Sequence, residues 1–149
     1  MLYDLTYLAT NAEIRSYIEL NTFCELTPTV GHTGWEHLSD VDFRYTPQPD
    51  IYMDLLSLDG AVPGEYYRVS ATVELFTGGS GRTMNVRFGT SSANIYTISE
   101  IDVGNTFTAY GYAPEGISTL DFMAYNTATT EFIMRDVLIE TIIPGEETL

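Results

Sequence analysis

Residues 58–75 read LDGAVPGEYYRVSATVEL, and the fold class follows from their alternation. Val62-Pro63-Gly64 is a turn signal: proline presets φ for the first turn position, and glycine tolerates the positive φ that often follows. It opens onto a run with Tyr67, Val69, Ala71, Val73 and Leu75 on one face and Tyr66, Arg68, Ser70, Thr72 and Glu74 on the other. A period of two in β-branched and aromatic residues predicts a strand. An apolar face opposite a polar or mixed one predicts an antiparallel sheet with one side on a core. This strand is expected to be central.

The same alternation recurs on both sides of it. Residues 1–8 and 14–20 predict strands near the start, and 28–35, PTVGHTGW, predict a loop landing on the only tryptophan. Val41, Phe43 and Tyr45 alternate with Asp42, Arg44 and Thr46 until Pro47. Residues 51–58 are an apolar run expected at a sheet edge. Met84, Val86 and Phe88 are expected to close a hairpin with the opening strand across Thr77-Gly78-Gly79-Ser80-Gly81. Further strands are expected at 95–98, 106–112, 120–125 (after a lead-in over 117–119) and 132–143, the last with both faces largely buried. Short strands punctuated by Gly, Asn and Thr, with no sustained helical period, predict an all-β chain. The fold expected is an antiparallel β-sandwich or jelly roll with an N-terminal extension. Its parts are a strand or arm over 1–20, a jelly-roll body over 21–143, and a short acidic tail over 144–149.

A length of 149 residues fits one domain with one core. The chain has six arginines, no lysine and 21 acidic residues, a net charge of −15. Phosphate neutralisation needs cations, so nucleic acid is excluded as a partner, and an acidic surface repels anionic lipid. No apolar run approaches the ~20 residues of a membrane helix, and the first residues lack the basic region of a secretory signal. The acidity serves solubility in its plainest reading and docking on a basic partner surface in a sharper one. The single cysteine, Cys24, excludes an internal disulfide and reads as a small buried hydrophobe.

Three landmarks carry a family resemblance. Leu20-Asn21-Thr22-Phe23 precedes a later Gly34-Trp35, Pro63-Gly64-Glu65-Tyr66-Tyr67-Arg68-Val69-Ser70 sits mid-chain, and Phe132-Ile133-Met134-Arg135-Asp136-Val137-Leu138-Ile139 closes the sequence. Together they resemble the jelly-roll carbohydrate-binding modules with a galactose-binding-like fold, which occur in secreted glycoside hydrolases and in phage virion proteins. The glycine that usually follows the family's Asn is missing at Thr22, and residues 1–20 extend beyond the module. The resemblance implies no obligatory cofactor, though such modules often hold a structural calcium ion, for which Glu25 and Asp136 are the positional candidates. Beside that stands the plainer reading that Asp136 bonds the backbone or pairs with Arg135 or Arg68.

His32 and His37, near Glu36 and Asp40, are candidate metal ligands but lack a third strong ligand at a fixed spacing, so a solvated loop is the expectation. No nucleophile elbow is present and Cys24 has no neighbouring histidine, so catalysis is not expected. Sugar binding requires exposed aromatic faces, and the pool is Trp35, Tyr96, Tyr110, Tyr112 and Tyr125, with Trp35 foremost. A chain resembling these modules but lacking a signal peptide points first to a virion capsid decoration (cement) protein, assembled in the host cytoplasm and sited on the capsid surface. Its partner would be the major capsid protein, contacted through Leu2, Tyr3, Leu5, Tyr7 and Leu8, and it would form a homo-oligomer, with a trimer favoured. The alternative is a glycan-binding module or fibre domain recognising host-surface polysaccharide.

Overall fold

The computed structural model describes residues 27–29, 34–77, 83–89, 93–125, 131–143 and Gly145. The expected strands over 1–8 and 14–20, the tail beyond Gly145, Cys24, Glu25 and His32 lie outside the described residues. Where alternation is clear, strands form: β1 (Thr27–Thr29), β2 (Trp35–His37), β3 (Phe43–Tyr45), β4 (Met53–Asp59), β5 (Tyr66–Phe76), β6 (Thr83–Phe88), β7 (Tyr96–Ser99), β8 (Thr106–Tyr112), β9 (Thr119–Tyr125) and β10 (Phe132–Thr141). A 3-10 turn over Glu100–Asp102 is the one helical element among the described residues.

Two five-stranded sheets result, ordered β1-β4-β9-β6-β7 and β2-β3-β10-β5-β8, and every strand pairing within them is antiparallel. Their inward faces meet in one core. Tyr67, Val69, Ala71 and Val73 of β5 are wholly buried in it, opposite such residues as Phe88 and Phe122 from the other sheet. This is a β-sandwich, the fold class expected.

Local expectations fail at three places. β5 and β6 do not form a hairpin: β5 is already flanked by β10 and β8, so the chain crosses to the other sheet, where β6 pairs with β9 and β7. β4 is not an edge strand, because β1 pairs along its outer side. The segment 28–35 is not wholly loop. Pro28 sits in β1, the outermost strand of its sheet among the described residues, and Trp35 begins β2.

The twofold period also fails within the two longest strands. In β10, Arg135 pairs with Thr72 and Leu138 with Ser70, so Asp136 and Val137 together face one residue of β5. This bulge shifts the inward set from Phe132 and Met134 to Val137 and Ile139, and so explains why both faces look apolar in sequence. Asp136 occupies the bulge with φ +56, a left-handed conformation that Asp tolerates better than most residues. Its N–H donates to Asp42 Oδ1 at 3.0 Å, while Ser39 Oγ donates to Asp42 Oδ2 at 2.6 Å. A second irregularity offsets the first: Leu75 pairs with Ile133 and Val73 with Met134, leaving Glu74 as the extra residue on β5. Beyond it Phe76 rather than Leu75 is buried. Arg135 lies between the two bulges, with Nε on Glu74 Oε1 at 2.8 Å and Nη1 3.8 Å from Asp42 Oδ2.

The strained position should respond to side-chain type. Asp136→Gly is expected to leave stability unchanged within about 0.5 kcal/mol, and Asp136→Val to lower it by about 1–2 kcal/mol, since a β-branched residue is a true outlier there. Urea unfolding of both variants measures this; equal stability would contradict the bulge assignment.

Candidate functional site

The outward face of β8, β5 and β10 is built in rows by the ladder register. Tyr66 stands opposite Tyr112; Arg68 lies between Tyr110 and Glu140; Ser70 between Thr108 and Leu138; Thr72 between Thr106 and Arg135. Alternation that sends Tyr67, Val69 and Ala71 inward sends Tyr66, Arg68 and Ser70 outward. On β8 the sequence Tyr110-Gly111-Tyr112 does the same. A Cβ on Gly111 would lie 2.6 Å from Ile95 Cγ2, so glycine lets β8 approach the opposite sheet while both tyrosines project outward.

Three tyrosines thereby form one cluster. Tyr66 and Tyr112 rings are 4.6 Å apart at 44°, and Tyr66 and Tyr110 are 6.4 Å apart and stacked at 19°. Tyr112 is 55% exposed, so the cluster presents ring surface to solvent. Beside it Arg68 and Glu140 form a bidentate pair, Nε to Oε1 at 2.8 Å and Nη2 to Oε2 at 2.9 Å, with both residues buried on the outward side of the sheet. Fork-to-carboxylate bonding fixes both groups in direction as well as distance. Removing either partner would strand a buried charge, at a cost of about 3–5 kcal/mol. Farther along, Thr72 and Thr106 hydroxyls share a 2.7 Å hydrogen bond. The face therefore runs from an aromatic end, past a neutralised ion pair, to a row of hydroxyls.

Other expected site residues lie elsewhere. Trp35 is not a sugar platform: it is 8% exposed, its ring packs against Tyr45 at 5.3 Å and Phe132 at 6.2 Å, and its indole N–H donates to the Asp54 carbonyl at 3.3 Å. The wholly buried Asp54 also accepts the Gly34 N–H through Oδ2 at 3.0 Å, and a Cβ on Gly34 would lie 2.8 Å from the Thr46 carbonyl. The Gly-Trp pair is thus a packing device. Tyr96 is stacked on Phe107 at 4.7 Å and donates to Asp102 Oδ1 at 2.6 Å; that bond and burial push its phenol up to about 12. Tyr125 meets Tyr52 edge-on at the far sheet. His37 packs against Phe43 at 5.1 Å, and among the described residues no group of three or more His, Cys, Asp or Glu is placed to hold a metal. Asp136 engages Asp42 through its backbone, while Arg135 pairs with Glu74 and Arg68 with Glu140. Leu2, Tyr3, Leu5, Tyr7 and Leu8 lie outside the described residues.

Tyr110 and Tyr112 do come together, and the partners the sequence reading left out are Tyr66, Arg68 and Glu140. Tyr66 and Arg68 share the polar face of residues 66–74, which was a usable signal; Glu140 required the register of a strand 72 residues away.

One further perturbed group lies outward on the other sheet. Asp121 of β9 is 2% exposed, and burial pushes its carboxyl above the ordinary value of 3.8, against the lowering by hydrogen bonds from Ser57 and Thr119. Its Oδ1 has no hydrogen-bond partner.

No protein-family model matches the chain, and no curated protein matches it. A solved structure, the enzymatically active domain of tailspike protein 4 of bacteriophage CBA120, is similar at 15% identity and a TM-score of 0.44, over 78% of this chain and 18% of that one. The chain thus spans about a fifth of that neighbour's length. The neighbour is named as enzymatically active, and the expectation that catalysis is absent is withdrawn for this chain. Among the described residues no helix is long and apolar enough to cross a membrane.

A carboxyl whose folded pKa is raised contributes stability that is complete below its unfolded pKa and lost as pH rises through the folded one. Asp121→Asn is therefore expected to match the parent near pH 3 and to exceed it at pH 7 by about 1–2 kcal/mol, the cost of a buried carboxylate whose hydrogen bonds offset its desolvation only in part. Urea unfolding across pH measures the difference; a variant less stable than the parent at pH 7 would contradict it.

Proposed function

We propose that the chain is a glycan-recognition module of a phage virion, binding host-surface saccharide across the outward face of β5 and β8. The observation that carries this reading is the Tyr66–Tyr110–Tyr112 cluster, with Tyr112 55% exposed beside hydroxyl rows. Sugar rings present apolar C–H faces and a rim of hydroxyls. An aromatic surface supplies contact area for the first at low entropic cost. Ser70, Thr72, Thr106 and Thr108, in register on neighbouring strands, supply donors and acceptors for the second. The sequence resemblance to carbohydrate-binding modules supports the same reading.

A second reading shares the phage setting, a structural rather than host-binding role. The chain would be a capsid decoration (cement) protein, with the major capsid protein as partner and a trimer as the assembled form. The net charge of −15 favours it, as docking on a basic shell needs an acidic surface. Leu2, Tyr3, Leu5, Tyr7 and Leu8 would make the contact.

Glycan arrays followed by calorimetric titration separate the two. Tyr110→Ala and Tyr112→Ala are each expected to weaken saccharide binding about tenfold, in line with the loss of one aromatic contact. Tyr52→Ala, at an exposed tyrosine away from this face, should bind as the parent does. Absence of any glycan bound by the parent, with stoichiometric density on empty capsids mixed with it, would replace the first reading with the second.

A further inference from the structure

We propose that this face is selective for neutral saccharides and discriminates against uronate, sialylated, sulfated or phosphorylated ones; the inference rests on the glycan reading. Anionic sugars are held by cations whose donors are available, most effectively by an arginine fork. Three arginines lie on this sheet among the described residues, and each is already committed to a carboxylate. Arg68 is locked to Glu140 by two bonds at 2.8 and 2.9 Å. Arg135 is held by Glu74 at 2.8 Å and lies 3.8 Å from Asp42. Arg44 is 2.7 Å from Glu36.

The pairing is costly to undo where it matters most. Arg68 stands beside Tyr110 in the ladder, the one cation next to the tyrosines among the described residues. Turning it to a ligand anion would abandon Glu140, itself buried, inside the protein. An incoming carboxylate therefore finds no available cation there: the Arg68 fork is buried and already filled by Glu140. The other two arginines are about a third exposed and their pairs face solvent, so they are held less firmly than Arg68, but Asp42 and Asp136 add negative charge around Arg135. Screening confines exposed charges to about 8–10 Å at physiological salt, so these local pairs, more than the net charge of −15, set what a bound sugar meets. Neutral hydroxyls lose nothing on such a surface. Serine and threonine rows and tyrosine rings recognise them without calling on any charge.

The test uses the full chain and matched oligosaccharides that differ only at C6: gluco- against glucurono-, galacto- against galacturono-, and manno- against mannurono-hexamers, titrated calorimetrically in 50 and 500 mM NaCl. The expected result is binding of at least one neutral member, with its uronate at least tenfold weaker at 50 mM and still weaker at 500 mM. Glu74→Gln, which releases Arg135 at a distance from the tyrosines, is expected to strengthen uronate binding at least threefold and leave the neutral member unchanged. A uronate bound as tightly as its neutral counterpart, or more tightly, would overturn the selectivity while leaving glycan recognition intact. Binding of neither series, on these hexamers and on a broad array, would overturn the glycan reading and the selectivity with it.

Discussion

Two paired strands of eleven and ten residues, β5 and β10, have to keep apolar side chains on one face along their whole length, and a strict period of two would not allow it. Without its bulge β10 would carry Val137 and Ile139 outward, and without the irregularity at Glu74, Phe76 would leave the core. Each strand inserts one extra residue at a different level, so the pairing resumes in step. Asp136 accepts a left-handed backbone to make this possible, and Asp42 holds it there through a single N–H to carboxylate bond. Arg135 then ties both bulges together through Glu74 and Asp42. A surface charge cluster that reads in sequence as mere solubility is thus the fastening of the central ladder.

Once the register is fixed, the outward rows follow. Arg68 faces Glu140 on one side and Tyr110 on the other because the bulge places β10 as it does. A shift of one residue would bring Glu140 inward and Ile139 outward. The buried ion pair is weak evidence for net stability, since its desolvation offsets much of its attraction. Its effect is on definition: it fixes two side chains beside a cluster of tyrosines whose Tyr112 is exposed. Asp54 plays a related part on the other side of the sandwich, where one carboxylate seats Gly34 and its own carbonyl receives the Trp35 indole.

Much of this architecture was legible in the sequence. The alternation at 66–73, the stop at Pro47, and the Tyr-Gly-Tyr of β8 are local signals, and local signals name strands and faces well. Sheet membership was not legible: the loop at 77–81 looks like a hairpin connection, yet both edges of β5 are taken by residues 34 or more positions away. Trp35 misled for a similar reason. A tryptophan beside glycine in a Pro- and Gly-rich loop reads as exposed until Asp54, 19 residues on, is seen to receive its N–H. Tyr110 and Tyr112 were candidates, but Tyr66 and Glu140 join them only through pairing. The face is a product of register, which no single stretch encodes.

The central claim is that this register creates a saccharide-binding face on β5 and β8. Backbone amide chemical-shift mapping of the labelled protein, titrated with whichever neutral oligosaccharide it binds best, tests that claim most directly. Perturbations concentrated at Tyr66, Arg68, Ser70, Thr108, Tyr110 and Tyr112 are the predicted result. Perturbations centred instead on the outward face of β4 and β9, around Tyr52, Asp121 and Tyr125, would contradict it.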